Sequence, residues 1–475
     1  MKILSYLKHT LTAAAVAVML LPSLAVQAAV TPSVQANAYI LYEPDRDMIL
    51  HAQNETTRIY PASMTKILTA VVMEQYIKPT DIVVAGNEIY NIPLDSSKAG
   101  HELGEVLTGE NLLRGLIIPS GNETACIVAL EVARRVSGDE DISYANAEKL
   151  FCGLMNDYAK AIGAKDTHFV NPHGYHADTH YTTAYDLALI VREAMKSDLI
   201  RKIALETEYN GPSAPQNAEG TRKIVDHVWR SHNEMIINGV YYYQHATGLK
   251  TGFTNEAGEC LAATAEREDG SRLIAIVCNS PADIRWADAR QLFEYGFTQF
   301  SEYTIQTEGQ LIGKLEIAKP RLGDQTTLEY FAVQELRAFL NESQVPNIVC
   351  DVTIDKAFLA VNEPDPETGE ISDEQFIKAP LEKGTVIGSV AYSLNGETLF
   401  TDTLIAGRDV LERTFNTDMD HYVAKVKSTV FSVKAIPHWI GAIVAVILII
   451  VLIVMLVKRG RRNRSGKYHF RGRRW

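Results

Sequence analysis

The chain has 475 residues, 46% of them hydrophobic, which is room for two or three domains with ordinary cores. Its 58 acidic residues outnumber 46 basic ones, for a formal net charge of −12, and neither end carries an acid, so the segment between the ends is more acidic still. That balance excludes a protein built to hold nucleic acid on its general surface.

In chain order, Lys2 and Lys8 precede an apolar run over 11–26 that closes on Ala28 and Ala29, the pattern of a cleavable signal peptide spanning 1–29. Residues 30–302 then mix strand and helix patterns. The segment 37–50 alternates about a turn at Pro44 and Asp45, as a first hairpin does. Helical periodicity follows over 66–76, 111–117, 123–136, 144–162 and 183–195. A second strand pair, 260–266 and 272–278, is joined through Asp269-Gly270, a strong hairpin signal. The expected fold class is α+β, an antiparallel sheet with helices grouped around it.

From about Thr304 the texture changes to short alternating runs, such as Leu311, Gly313, Leu315 and Ile317, so 303–412 reads as a smaller β-rich domain. Its acidic stretch 362–374 reads as a surface loop without EF-hand spacing. Residues 413–436 form an amphipathic connector with Val423, Val426, Val430 and Val433. The run 437–457 is long and apolar enough to cross a bilayer as a helix. Nine Lys or Arg residues and no acid fill 458–475, which places that tail in the cytoplasm and the bulk of the chain on the other side of the membrane. The five cysteines are odd in number and widely spaced; they read as buried free thiols, not as a disulfide framework.

Chemistry enters at Ser63-Met64-Thr65-Lys66, which puts a hydroxyl and an amine on one face at the start of an apolar helix entered after Pro61. A lysine in water has a pKa near ~10.4 and cannot accept a proton; burial or a second nearby cation makes Lys66 a base for Ser63. Alone the pattern is cheap, because Ser5-Tyr6-Leu7-Lys8 fits it too. Two further motifs follow, Ser120-Gly121-Asn122 before a helix and Lys250-Thr251-Gly252 on a strand beside the second hairpin. Ser120 suits relay of a proton to a leaving group, Asn122 suits holding Lys66 or a substrate amide, and Lys250 with Thr251 suits a carboxylate. Gly252 leaves the strand edge open for a substrate to lie along. Ser-x-Asn recurs at Ser231 and at Ser393, whereas Lys-Thr-Gly occurs once, so order and placement carry the signal.

The longer stretches 61–70, Phe169-Val170-Asn171-Pro172-His173-Gly174, and Gly248-Leu249-Lys250-Thr251-Gly252-Phe253-Thr254 with Ala257-Gly258 closely resemble the D-alanyl-D-alanine carboxypeptidases, the low-molecular-mass penicillin-binding proteins of peptidase family S11. The resemblance runs over about 35–400. It implies a penicillin-binding/β-lactamase-like catalytic domain and a serine peptidase that removes the terminal D-alanine from peptidoglycan pentapeptide stems through an acyl-enzyme on Ser63. It implies Lys66 as proton acceptor, Ser120 and Asn122 as the rest of the proton network, and Lys250 on the substrate carboxylate, with Thr251, Gly252 and Phe253 lining the substrate. The backbone N–H groups of Ser63 and Phe253 form the oxyanion hole by similarity. No cofactor and no metal is implied, and β-lactams are expected to acylate Ser63.

One departure stands out. The family attaches commonly through an amphipathic helix, and this chain carries a full apolar span. The middle residue of Ser120-Gly121-Asn122 is Gly where the Ser-Asp-Asn pattern has Asp, a position that is variable in the family. A class A-like β-lactamase and a non-enzymatic sensor of cell-wall peptides are the rival readings. His173, His176, Asp178 and His180 invite a zinc reading, but no His-Glu-x-x-His helix is present and Pro172 and Gly174 favour a structured loop. Tyr241-Tyr242-Tyr243 reads as a strand or loop exposing aromatic rings near the site.

Overall fold

The computed structural model describes residues 31–217, 219–361, 375–430, 432 and 436–464. The expected signal peptide, the acidic stretch 362–374 and most of the basic tail therefore lie outside the described residues. The chain divides into two compact units between Ser301 and Glu302.

In the first unit, β1 (Ala38–Glu43) and β2 (Met48–Gln53) form the opening hairpin. Short pairs follow, β3 (Ile82–Val84) with β4 (Val106–Thr108) and β5 (Glu208–Pro212) with β6 (Asp226–Arg230). The main sheet is completed by β7 (Ala246–Thr254), β8 (Gly258–Glu266) and β9 (Arg272–Ser280), in the order β2-β1-β9-β8-β7 and antiparallel throughout. The strand carrying Lys250-Thr251-Gly252 is thus an edge strand, with one side unpaired in the sheet.

Among the described residues this unit has seven α-helices, α1 (Thr65–Tyr76), α2 (Gly109–Ile117), α3 (Asn122–Ser137), α4 (Tyr144–Ala161), α5 (Ala184–Ala194), α6 (Asp198–Ala204) and α7 (Arg285–Gln299), of which α5, α6 and α7 pack on the sheet. Every residue of α1 from Thr65 to Met73 is buried. A helix enclosed on all sides needs no polar face, which is why its apolar run shows little sidedness. It packs against α2, α3, α4 and α5, so the Ser63 end of α1 is anchored by the centre of the core. Thr108, Ser143 and Thr183 cap α2, α4 and α5 by accepting backbone N–H groups, which fixes the helix starts the periodicity located.

The second unit holds β11 (Leu311–Ile317), β12 (Thr327–Ala332), β14 (Val349–Ile354), β15 (Phe376–Ile377), β16 (Val386–Leu394) and β17 (Glu397–Ala406) in one sheet of order β14-β16-β17-β12-β11-β15. Strands β10 (Phe300–Gln306) and β13 (Leu336–Asn341) pair separately. Its core is Leu328, Ile377, Ile387, Val390 and Leu404. Helix α8 (Phe415–Val430) buries no residue and leaves Met419, Tyr422, Val423 and Val426 exposed. Helix α9 (Ile436–Arg464) contains a 24-residue segment, Ile436–Arg459, whose most apolar 18-residue stretch has a mean hydropathy of 3.6 with none of it buried, long and apolar enough to cross a membrane.

All five cysteines are free. Cys126, Cys152, Cys260 and Cys278 are buried, but Cys350 is exposed on β14, an edge strand whose first five residues are all exposed, so the expectation of burial fails for that one.

Candidate active site

Ser63 does not sit in the α-helix itself. It lies in a single 3₁₀ turn, Ala62–Met64, that leads into α1, and Ala62 takes a left-handed φ of 46° to enter it. Such a conformation costs a residue with a Cβ about 1–3 kcal/mol and persists where the surroundings hold it. Here β7 helps to hold it: a Cβ on Gly252 would meet the Pro61 carbonyl oxygen at 2.9 Å and the Ala62 Cβ at 3.2 Å. Gly252 is therefore required for the edge strand to press against the turn that carries Ser63, besides any room it leaves for substrate.

One turn on, Lys66 is completely buried. Its Nζ lies 3.0 Å from Ser63 Oγ, 2.6 Å from Asn122 Oδ1 and 2.7 Å from the His173 carbonyl oxygen. Burial drives its pKa well below the usual lysine value, and the charge of Lys250 pushes in the same direction, against a smaller opposing pull from Glu123. The need for a neighbouring cation is thus met, but burial is the larger cause. Lys66 is the junction of the site, because three chain segments converge on one nitrogen.

Ser120 and Asn122 are delivered by the loop before α3. Ser120 is 2% exposed, has a left-handed φ of 62°, and its Oγ has no hydrogen-bond partner. A buried hydroxyl without a partner is costly unless a ligand satisfies it. The loop is clamped from behind: Asn122 N–H donates to the Ser97 carbonyl at 2.9 Å, and the Glu123 carboxylate accepts the N–H groups of Ala99 and Gly100, both at 2.7 Å. Gly121 is wedged in this clamp, since a Cβ there would fall 2.4 Å from Thr124 Oγ1 and 2.8 Å from the Ala99 Cβ.

Below the clamp lies a buried network that the sequence did not signal. Glu105 Oε1 contacts His101 Nδ1 at 3.2 Å and His227 Nε2 at 2.6 Å, while His101 Nε2 meets Thr124 Oγ1 at 2.9 Å. Burial alone would raise the Glu105 carboxyl, but the bonds from the two imidazoles outweigh it and bring the value down to about 2. Among the described residues, these three form the group whose ligand atoms converge closely enough, within 4.8 Å, to hold a metal ion. They do not line the cavity; they brace the loop that carries Ser120 and Asn122. His173, His176, Asp178 and His180 do not converge in this way. His173 and His180 are buried and held to about 3, chiefly by desolvation, so both are neutral, and His180 bonds to Thr65 Oγ1 at 2.8 Å.

From β7, Lys250 donates to the Thr251 carbonyl at 3.1 Å and is 2% exposed. Burial lowers its pKa to about 7, helped by the charge of Arg285. Arg285 opens α7, is ion-paired with Glu259, and faces the same cavity. His232 faces it too, its pKa lowered by burial and then by Lys250, Arg285 and Lys66. His232 is the middle residue of the Ser231-His232-Asn233 recurrence of Ser-x-Asn, Arg285 belonged to no motif, and both are placed by tertiary folding.

The cavity has a volume of about 450 Å³ and is lined by Ser63, Ser120, Asn122, Thr251, Gly252 and Phe253 among others. Phe253, 58% exposed, stands at its edge. Lys66 and Lys250 lie behind its wall. Tyr241–Tyr243 stand elsewhere, with Tyr243 stacked on Phe293 and Tyr241 tilted against Trp286. The arrangement puts a nucleophile beside a desolvated amine, an unsatisfied hydroxyl opposite, and buried positive charge on the far side, which suits acyl transfer to a substrate with a carboxylate end.

Residues 25–282, more than half of the chain, match the family described as D-alanyl-D-alanine carboxypeptidase. The chain belongs to the D-alanyl-D-alanine carboxypeptidase family. Beyond that family's catalytic region, residues 300–412 match the C-terminal domain of penicillin-binding protein 5. Among curated relatives in the family, the D-alanyl-D-alanine carboxypeptidase DacF of Bacillus subtilis is 27% identical over 389 residues, covering 81% of this chain and 88% of that protein. The D-alanyl-D-alanine carboxypeptidase of Streptomyces sp. strain K15 is 29% identical over 252 residues, covering 52% of this chain and 82% of that protein. A crystal structure of penicillin-binding protein 5 from Haemophilus influenzae is similar at a TM-score of 0.52 and 26% identity, over 80% of this chain and 99% of that one. The expected fold class, an α+β catalytic unit followed by a β-rich one, agrees with this family's architecture.

Proposed function

We propose that the chain is a serine-type D-alanyl-D-alanine carboxypeptidase that releases the terminal D-alanine from peptidoglycan stem peptides and binds penicillin covalently at Ser63. The observation that carries this reading is the placement of Lys66 Nζ 3.0 Å from Ser63 Oγ and 2.6 Å from Asn122 Oδ1 in complete burial. Neutral Lys66 takes the Ser63 proton as Oγ attacks the carbonyl of the penultimate D-alanine. The backbone N–H groups of Ser63 and Phe253 receive the oxyanion. Ser120, whose Oγ is otherwise unsatisfied, relays the proton taken up by Lys66 to the departing D-alanine amine, which returns Lys66 to its neutral form, and Asn122 keeps Lys66 aligned. Lys250, with Thr251 and Arg285 beside it, attracts the C-terminal carboxylate. Water then hydrolyses the ester on Ser63. Gly252 keeps the strand edge close to the turn carrying Ser63, and no cofactor enters the scheme.

The same reading extends to the rest of the chain. Residues 1–29 act as an export signal, 30–302 as the catalytic domain and 303–412 as a β-rich domain. The connector 413–436 and the helix 437–457 tether the enzyme to the membrane with its catalytic domain on the extracytoplasmic side, and 458–475 remain in the cytoplasm. The apolar helix and the basic residues beyond it support that orientation. A β-lactamase needs no second domain of the penicillin-binding protein 5 type. A sensor without catalysis does not need the desolvated lysine at hydrogen-bond distance from the serine.

The test uses the purified protein and a peptide ending in D-Ala-D-Ala. Release of D-alanine and a penicillin adduct mapped to Ser63 are expected, and Ser63→Ala abolishes both. Labelling that persists in Ser63→Ala overturns the assignment, and rapid penicillin turnover without D-alanine release favours the lactamase.

A further inference from the structure

Behind the Ser120 loop two carboxylates are buried without a lysine or arginine partner among the described residues, Glu105 and Glu123. One oxygen of Glu123 accepts the N–H groups of Ala99 and Gly100, and its other oxygen has no hydrogen-bond partner. Lys66, an amine that senses the charge of Glu123, is itself driven toward its neutral form by burial. Two uncompensated carboxylates in an interior are costly, and a divalent cation is the species that matches them. Glu105 already gathers suitable ligands, with His101 Nδ1 at 3.2 Å and His227 Nε2 at 2.6 Å from its Oε1. Each of the three is also held from outside. The second oxygen of Glu105 accepts the Glu102 N–H at 2.8 Å, His101 Nε2 meets Thr124 Oγ1 at 2.9 Å, and Trp229 stacks on the His227 ring with 4.6 Å between centroids. Metal ligands are oriented in this way, by partners on the atoms that face away from the ion.

We propose that His101, Glu105 and His227 bind one zinc-class divalent cation, a structural ion behind the Ser120 loop whose fourth position is filled by water. Two imidazoles with one carboxylate select zinc and its transition-metal neighbours over calcium and magnesium, which take oxygen ligands. In a tetrahedral site with bonds of about 2.0–2.2 Å, neighbouring donor atoms stand about 3.4 Å apart, so His101 is nearly in place and His227 moves outward by about 0.8 Å. On each ring the N–H that faces Glu105 shifts to the other nitrogen. His101 Nε2 then donates to Thr124 Oγ1, and both imidazoles bind in their neutral form without releasing a proton. The side chain of His227 is 6% exposed whereas those of His101 and Glu105 are fully enclosed, so the ion enters past His227. Bound there, it joins the segment before β4 to β6 and, through Thr124, to the first turn of α3. The triad does not line the cavity, so the ion takes no part in the chemistry at Ser63, and the inference stands apart from the carboxypeptidase reading.

The experiment uses the untagged full-length protein in detergent, stripped of metal with a chelator and then dialysed against Zn²⁺. Elemental analysis is expected to return one zinc per chain, and the melting temperature to rise by about 5 °C when free Zn²⁺ is a hundredfold above its dissociation constant. In His227→Gln the new amide still donates a hydrogen bond to Glu105 but is no zinc ligand, so both the bound zinc and the rise are lost while circular dichroism reports a folded chain. Co²⁺ gives a second measurement that leaves the ligands untouched, and it decides the matter where the variant does not fold. It binds the wild-type protein with the visible absorption of a tetrahedral ion and quenches Trp229; Trp229→Phe removes the quenching and keeps the absorption. A wild-type protein that takes up no zinc, zinc that remains in a folded His227→Gln, or bound cobalt that leaves Trp229 unquenched overturns the proposal, and the triad is then a hydrogen-bonded brace only.

Discussion

Lys66 Nζ and Asn122 Oδ1, from two helices 56 residues apart in sequence, meet at 2.6 Å, and both residues are buried. The bond ties the Ser-x-x-Lys and Ser-x-Asn motifs into one unit, and it orients the lysine whose lone pair must face Ser63.

Asn122→Ala removes that orientation and leaves a buried amine with one acceptor fewer. Losing a positioned partner of a general base slows the chemical step by about 10²–10³-fold. The acylation rate with a fluorescent penicillin falls by that order, while binding before acylation changes little. A fall confined to binding contradicts the role given to Asn122.

The two lysines set opposite limbs of the pH profile. Lys66 must be neutral, so kcat/KM rises as pH climbs through its depressed pKa. Lys250 must be charged to attract a carboxylate, so kcat/KM, which reports the free enzyme, falls again above about 7. Lys250→Arg holds its charge and is expected to flatten the upper limb. Stability carries the matching sign: between about 7 and the usual lysine value near ~10.4 the unfolded chain binds the Lys250 proton and the folded chain does not, so folding is favoured progressively as pH rises through that window. Cys126 and Cys152, whose thiols burial pushes up to about 12, pull stability the other way over the upper part of that range, so the measurement is the difference between wild type and Lys250→Met: a melting-temperature profile across the window that is the same in both contradicts the burial of Lys250.

Gly121 is expected to reject the residue found at its place in the Ser-Asp-Asn form. Any Cβ there collides with Thr124 and Ala99, and overpacking of this kind costs about 1–3 kcal/mol. Gly121→Asp therefore lowers the melting temperature and slows penicillin acylation. Unchanged stability and rate show that the 97–101 segment yields more readily than its hydrogen bonds to Glu123 and Asn122 imply.

A chain lacking residues 437–475 is expected to be recovered without detergent and to turn over D-Ala-D-Ala peptides at the full-length rate. The site lies wholly within the unit that ends at Ser301, and the apolar helix belongs to the other. Loss of turnover in the shortened protein assigns the helix a role beyond tethering.

What the sequence by itself determined is what short range and periodicity encode: the hairpin pairs, the helix starts, the apolar span near the C-terminus, and the motif residues Ser63, Lys66, Ser120, Asn122 and Lys250. These are local signals, because a helix face or a strand edge is set by residues a few positions apart. Tertiary structure decided the rest. It put Ser63 in a 3₁₀ turn pressed by Gly252, buried Lys66 far enough that desolvation outweighs the neighbouring cation, and assembled Glu105 with His101 and His227 behind the Ser120 loop. It also brought Arg285, Asp95 and Glu256 to one cavity from segments with no shared pattern. Burial and the convergence of distant charges depend on how elements pack, and no window of sequence contains that information.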